Sequence, residues 1–167
     1  GRAQRFLDNG DFDKAIELCD EALKAASIYR EAYIVKHKAY EAKGADVTTQ
    51  IENLKEAQKI SLDDEELSYY LGKIHQNRDS FDKAIEAYTE AITFSEDQDG
   101  DSSFRYYYFF SRATCYLKKR HNEEAIADFT RAIEVNPESA AAYANRGFVY
   151  YNTKQKSKSC ADWQKAK

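Results

Sequence analysis

Small apolar side chains return along this chain at nearly constant intervals. Ala15, Gln50, Ala84, Ala125 and Ser159 are 35, 34, 41 and 34 residues apart, Gln50 being the one member that is not small. Cys19, Leu54, Tyr88, Phe129 and Trp163 follow four residues behind these, and Ala22, Ala57, Ala91, Ala132 and Ala166 seven behind. Such offsets lie on one face of an α-helix, where about 3.6 residues make a turn. A second series, Phe6, Tyr40, His75, Tyr116 and Tyr150, recurs at 34, 35, 41 and 34 residues and falls on a preceding helix. The repeating unit is therefore a pair of helices.

Polar breakers separate the paired helices: Asn9-Gly10-Asp11, Gly44-Ala45-Asp46, Asn77-Arg78-Asp79-Ser80 and His121-Asn122. Connections this short make the two helices antiparallel neighbours. Asp11 and Ser80 are N-cap candidates, because a side-chain oxygen can accept from a free backbone N–H in the first turn that follows. Pro137, after Glu134-Val135-Asn136, ends a helix by disfavouring helical geometry in the residue before it. Helices of about 12 to 15 residues are expected.

These residues resemble the tetratricopeptide repeat, a helix-turn-helix unit with a small residue in its first helix and Ala-x3-aromatic-x2-Ala in its second. The likeness is clearest in Leu71-Gly72-x2-His75 followed by Phe81-x2-Ala84-x3-Tyr88-x2-Ala91. It returns in Ala113-x2-Tyr116 with Ala125-x3-Phe129-x2-Ala132 and Pro137, and in Gly147-x2-Tyr150 with Trp163 and Ala166. The resemblance implies an all-α superhelical array of antiparallel helix pairs. The expected organisation is a single array: a partial unit over 1–29, units over 30–64 and 65–98, an inserted loop over 99–105, a unit over 106–139 and a truncated last unit over 140–167.

The chain departs from that pattern in three places. His37 stands where other units have Gly72, Ala113 and Gly147, and Gln50 where they have Ala84 and Ala125, so the helix pair of residues 30–64 is expected to be splayed. The longer spacing between the third and fourth units is expected to emerge as a protruding loop over Ser95 to Ser103, or as a longer helix in the fourth unit. Both chain ends cut through the pattern, and the absence of any Met adds to the expectation of a piece of something longer. Trp163 and Ala166 would then lie at an open end.

Charge and composition narrow the function. The 25 Lys and Arg against 29 Asp and Glu leave a net charge of −4, which argues against general nucleic-acid affinity. The balance is uneven along the chain: −3 over residues 1–64, −6 over 65–105 and +5 over 106–167. Lys118-Lys119-Arg120 and Lys154-Gln155-Lys156-Ser157-Lys158 fall at turns and read as solvated surface. No stretch reaches the roughly 18 to 20 apolar residues that a membrane-spanning helix needs.

Little in the sequence supports catalysis or a cofactor. No phosphate-binding glycine loop, nucleophile elbow or zinc-protease signature is present. Cys19, Cys115 and Cys160 are odd in number and far apart, with no C-x-x-C pair and no His at zinc-ligand spacing. They read as thiols of a reducing, cytoplasmic compartment. Glu65-Glu66 and Glu123-Glu124 sit at helix starts, where they complement the dipole. Asp97-Gln98-Asp99-Gly100-Asp101 looks like part of a calcium loop, but Gly100 is fourth from Asp97 and the twelfth residue is Tyr108, whereas the loop requires glycine at the sixth position and glutamate at the twelfth.

What remains is surface. The resemblance implies that first helices line a concave groove, and the helical period assigns to it Tyr69, Tyr70, Lys73 and Asn77 of the third unit, Tyr107, Phe110 and Thr114 of the fourth, and Asn145, Phe148 and Tyr151 of the fifth. Aromatic rings on a rigid wall offer large contact area at small entropy cost. The expected function is a non-catalytic protein-interaction module of a larger adaptor, scaffold or co-chaperone. It would hold a partner peptide in that groove. Two rival readings are self-assembly into a homo-oligomer through open ends and a regulatory domain of an enzyme. Some members of the family clamp the acidic carboxyl-terminal tails of heat-shock chaperones with Lys, Asn and Arg; here Asn145 fits that clamp, while Phe110, Ser111 and Thr114 stand where it wants Lys and Asn.

Overall fold

The computed structural model of the chain describes residues 1–96 and 102–167. Among the described residues the elements are helical: α1 (Arg2–Asp8), α2 (Phe12–Ala25), α3 (Arg30–Lys43), α4 (Val47–Gln58), α5 (Glu65–Asn77), α6 (Phe81–Glu96), α7 (Arg105–Lys118), α8 (Asn122–Val135), α9 (Ala140–Asn152) and α10 (Lys156–Lys165). A single 3-10 turn, Ser102–Phe104, leads into α7. The chain forms two compact units, residues 1–70 and 71–167, with the boundary inside α5.

The helices pair as the repeat predicts. In the first unit α1 packs on α2 and α3 on α4; in the second α7 packs on α8 and α9 on α10. Ala15, Ala84, Ala125 and Ser159 are buried, and so are Cys19, Leu54, Tyr88 and Phe129 four residues behind their repeat positions. Close approach explains the small residues on the facing helices. A Cβ on Gly72 would lie 2.5 Å from the Tyr88 ring, and one on Gly147 would lie 2.8 Å from the Trp163 ring. Ala113 packs beside Phe129 in a core completed by Ala125 and Val149. An aromatic side chain on the second helix thus requires a hole opposite it on the first.

Helix ends follow local chemistry. The Asp11 carboxylate accepts from the Lys14 N–H at the start of α2, as expected, and Asp46 and Ser139 cap α4 and α9 in the same way. At Ser80 the backbone carbonyl takes the first helical bond, from Ala84. The α8 helix stops at Val135, and Asn136, before Pro137, leaves helical geometry at φ −130°. Each turn within a pair contains one left-handed residue: Gly10, Gly44, Asp79, Arg120 and Lys154. Glycine takes that conformation freely, while an L side chain there costs ~1 kcal/mol or more.

In the pair formed by α3 and α4 the large polar residues lie inside: His37 and Gln50 are buried, at 1% and 9% exposure, and Leu54 and Ala57 are fully covered. The His37 ring packs 4.7 Å from Tyr70, and Gln50 donates from Nε2 to the Ala45 carbonyl at 2.8 Å. Between the third and fourth units, α6 continues to Glu96 as a 16-residue helix, and Arg105 is already the first residue of α7. Part of the extra spacing is therefore a longer second helix, and of the expected 99–105 insert Ser102–Phe104 form the 3-10 turn and Arg105 belongs to α7. The Asp97 to Asp101 stretch lies outside the described residues.

Candidate functional site

In the unit of residues 71–167, α7 and α9 are the first helices of two successive pairs. They carry large aromatic side chains that the core leaves outside: Tyr107 is 50% exposed, Phe148 48% and Tyr151 56%. Tyr151 lies 5.7 Å from Trp163, and Tyr107 lies edge-on to Tyr106 at 5.2 Å, so these rings are held by neighbours rather than projecting alone. Phe110 belongs to the interior instead. It stacks on Tyr106 at 5.5 Å and meets the buried Phe129 edge-on at 5.6 Å. Half-buried Thr114 and Asn145 spend hydrogen bonds on their own helices, Thr114 Oγ1 donating to the Phe110 carbonyl and Asn145 Nδ2 to the Ala141 carbonyl, both at 2.9 Å. On the end of α5, Lys73 is half-buried and Asn77 exposed.

Tyr69 and Tyr70 fall in the other unit. Tyr70 is only 8% exposed; its hydroxyl donates to Glu66 at 3.0 Å and its ring faces His37. Burial first, and then the Glu66 carboxylate, push that phenol well above its ordinary range, so it stays protonated. Tyr70 is a packing residue here and presents no ring to solvent. Tyr69 is half-buried, 5.7 Å from Tyr70.

Each unit has a cleft. In residues 71–167, one of about 570 Å³ opens between the carboxyl-terminal ends of α7 and α9, lined by Leu117, Lys118, Arg120, Asn122, Phe148 and Asn152. In residues 1–70, one of about 560 Å³ lies among α1, α2 and α3, and its wall is mainly apolar, with Ala3, Leu18, Ala22, Ala32 and Val35.

Recurrent polar clasps hold the second unit's helices. The Arg112 guanidinium makes paired hydrogen bonds to Asp128 at 2.7 and 2.8 Å and a third to Thr89 Oγ1 at 2.9 Å. Arg146 does the same with Asp162, at 2.8 Å twice, and with Thr130 Oγ1 at 3.0 Å. Each arginine ties its own helix pair and the preceding second helix together, with both carboxylates buried. Periodicity of apolar residues does not reveal these clasps, although the equal Arg-to-Asp spacing was a usable signal. In the first unit the corresponding tie is a single Lys36–Asp20 contact at 2.5 Å. Arg30 there grips Asp64 and Glu66. Burial opposes the Asp64 charge, but the Arg30 hydrogen bonds and the Leu67 N–H outweigh it and hold that carboxyl below its usual range.

The two buried thiols are not activated. Burial pushes the Cys115 thiol up to about 12 and raises Cys19 as well, the reverse of an activated nucleophile. Among the described residues no three His, Cys, Asp or Glu side chains gather as a metal would need. Nor is any described helix long and apolar enough to cross a membrane.

Comparison with known proteins agrees with the helix pairs. A tetratricopeptide repeat model matches residues 66–98 and a TPR repeat model residues 116–154. Residues 66–98 and 116–154 carry tetratricopeptide repeats. The chain is 24% identical to the Hsp70-Hsp90 organizing protein of Triticum aestivum and 25% to Hsp70-Hsp90 organizing protein 2 of Arabidopsis thaliana, in each case over 98% of its length. It spans about a third of the length of these relatives, 33% and 34%. Among solved structures, MamA superposes with a TM-score of 0.85 at 23% identity, over 99% of this chain and 92% of that one. YrrB, described as a TPR protein with an unusual peptide-binding site, gives 0.76 at 20% identity, over 98% and 80%. The tetratricopeptide fold is thereby assigned, and a repeat array of this kind is a protein-interaction module.

Proposed function

We propose that this tetratricopeptide protein is a non-catalytic binding module that captures a peptide or an extended segment of a partner protein on the first helices of residues 71–167. The observation that carries the reading is the half-exposure of three rings, Tyr107 on α7 and Phe148 and Tyr151 on α9, in a unit whose Tyr88, Tyr108, Phe109 and Phe129 are buried. Exposed aromatic side chains on rigid helices are the groups most often found at the energetic centre of interfaces. Lys73, Asn77, Thr114 and Asn145 of the same unit supply polar groups, and Phe110 supports α7 from within.

Kinship with proteins named for organizing Hsp70 and Hsp90 supports an adaptor or co-chaperone as the larger protein. The buried free thiols of Cys19 and Cys115 suit a reducing, cytoplasmic compartment. Selection from a random peptide display library tests the binding reading. Enriched peptides are expected to bind the wild type and to lose at least about tenfold in affinity against the double variant Phe148→Ala and Tyr151→Ala with its helical circular dichroism intact. Selection that enriches nothing, or peptides indifferent to the double variant, would remove the proposal.

A further inference from the structure

The cleft between the ends of α7 and α9 has a composition that names its occupant. Its wall combines the half-exposed Phe148 ring and Leu117 with Lys118 and Arg120, flanked by Asn122 and Asn152, and no acidic side chain lines it. Four other cations of the same unit are paired: Arg112 with Asp128, Arg146 with Asp162, Arg131 with Glu134 and Lys119 with Asp82. Lys118 and Arg120, both exposed, make no ion pair among the described residues. Arg120 also holds its backbone at φ 61°, where the first two units use Gly10 and Gly44. Asp79 and Lys154 hold the same left-handed turn position in the neighbouring pairs, and of these three residues Arg120 is the one that lines this cleft.

We propose that this cleft binds an internal acidic segment bearing an apolar or aromatic residue, with carboxylates on Lys118 and Arg120 and the apolar side chain on Phe148. The proposal rests on the peptide-binding reading and gives it a ligand class. It differs from a chaperone-tail clamp in using the end of a first helix and a turn residue, and in requiring no terminal carboxylate. Asn122 and Asn152 supply amide donors on either side of the cations. The surrounding segment, +5 over residues 106–167, steers an acidic chain towards it.

Fluorescence anisotropy with three labelled, carboxyl-terminally amidated short peptides tests this: one alternating glutamate pairs with phenylalanine, one with lysine in place of glutamate, and one with glutamine. The acidic peptide is expected to bind more tightly than the other two and to weaken with added salt. The double variant Lys118→Gln and Arg120→Gly removes both charges while giving the left-handed turn the residue it prefers. Binding of the acidic peptide is expected to fall at least about tenfold in that variant, with an unchanged or raised melting temperature. Lys154→Gly, the equivalent turn residue outside the cleft, is expected to leave binding intact. Equal binding of the lysine peptide, indifference to the double variant, or tighter binding of a labelled oligouridylate would overturn the assignment. If peptide selection succeeds while the acidic peptide fails, the module stands and only its ligand class falls; if both fail, both fall.

Discussion

Residues 1–70 and 71–167 run the same repeat with different interiors. The second unit builds its core from aromatic rings set into holes, Tyr88 against Gly72 and Trp163 against Gly147, and ties it with two Arg–Asp–Thr clasps. The first unit places His37, Gln50 and Asn53 at buried positions and has Leu54 in place of the ring. The Asn53 Nδ2 donates to the Tyr33 carbonyl, but its Oδ1 is buried with no hydrogen-bond partner, a penalty of about 1–3 kcal/mol. One repeat template therefore accepts a ring and a hole, or a smaller side chain and polar filling. The first solution fills the contact between paired helices with rings, the second with polar side chains.

The sharpest way to break this comparison is to empty the aromatic core. Phe129→Ala should destabilise the second unit by ~3–5 kcal/mol, and hydrogen exchange resolved by peptide should show protection lost in residues 71–167. A matching Leu54→Ala change should cost less, ~2–3 kcal/mol, with exchange rising in residues 1–70. Equal losses in both units would mean that the two interiors are energetically alike.

Next come the clasps. Arg112→Ala leaves the buried Asp128 without its partner and should cost about 3 kcal/mol by chemical denaturation. Arg112→Met with Asp128→Leu should restore most of it, because replacing both members of a buried pair with apolar groups is often neutral. Adding a methyl group at Gly72 forces the Tyr88 ring to move and should cost ~1–3 kcal/mol, offset in part by the better helix propensity of alanine. Gly44→Ala, at φ 72°, should cost ~1–2 kcal/mol in the first unit.

The smallest effect concerns acid. Asp64 is depressed in the folded state, so its pairing with Arg30 is fully stabilising above the unfolded carboxyl value of about 4 and is lost as pH falls through the lower folded one. Asp64→Asn should flatten the acid limb of a melting-temperature profile while lowering stability at neutral pH. An unchanged acid limb would assign the loss to other carboxylates.

Much of this was legible in residue order alone. The helix pairs, the turn at Asn9-Gly10-Asp11 and the stop before Pro137 follow from backbone sterics and helical period, which act over a few residues. The site was less so. The helical period puts Tyr70 and Phe148 on the same kind of face, yet Tyr70 is buried against His37 of α3 and Glu66 of its own helix, while Phe148 is half exposed. Phe110 likewise follows the groove period but turns into the Phe129 core. The cleft at Lys118, Arg120 and Phe148 was missed because those side chains, read singly, look like a charged turn and a helix face.

By itself the sequence determined that this chain is a set of antiparallel helix pairs, and which residues form their contacting faces, since periodicity and breakers are local properties with strong physical preferences. Tertiary structure decided which polar residues go inside, which arginines are neutralised and which rings remain at the surface. Those outcomes depend on what the neighbouring helix presents at contact distance, and a gap of a few ångströms between helices is not written in the order of residues along either one.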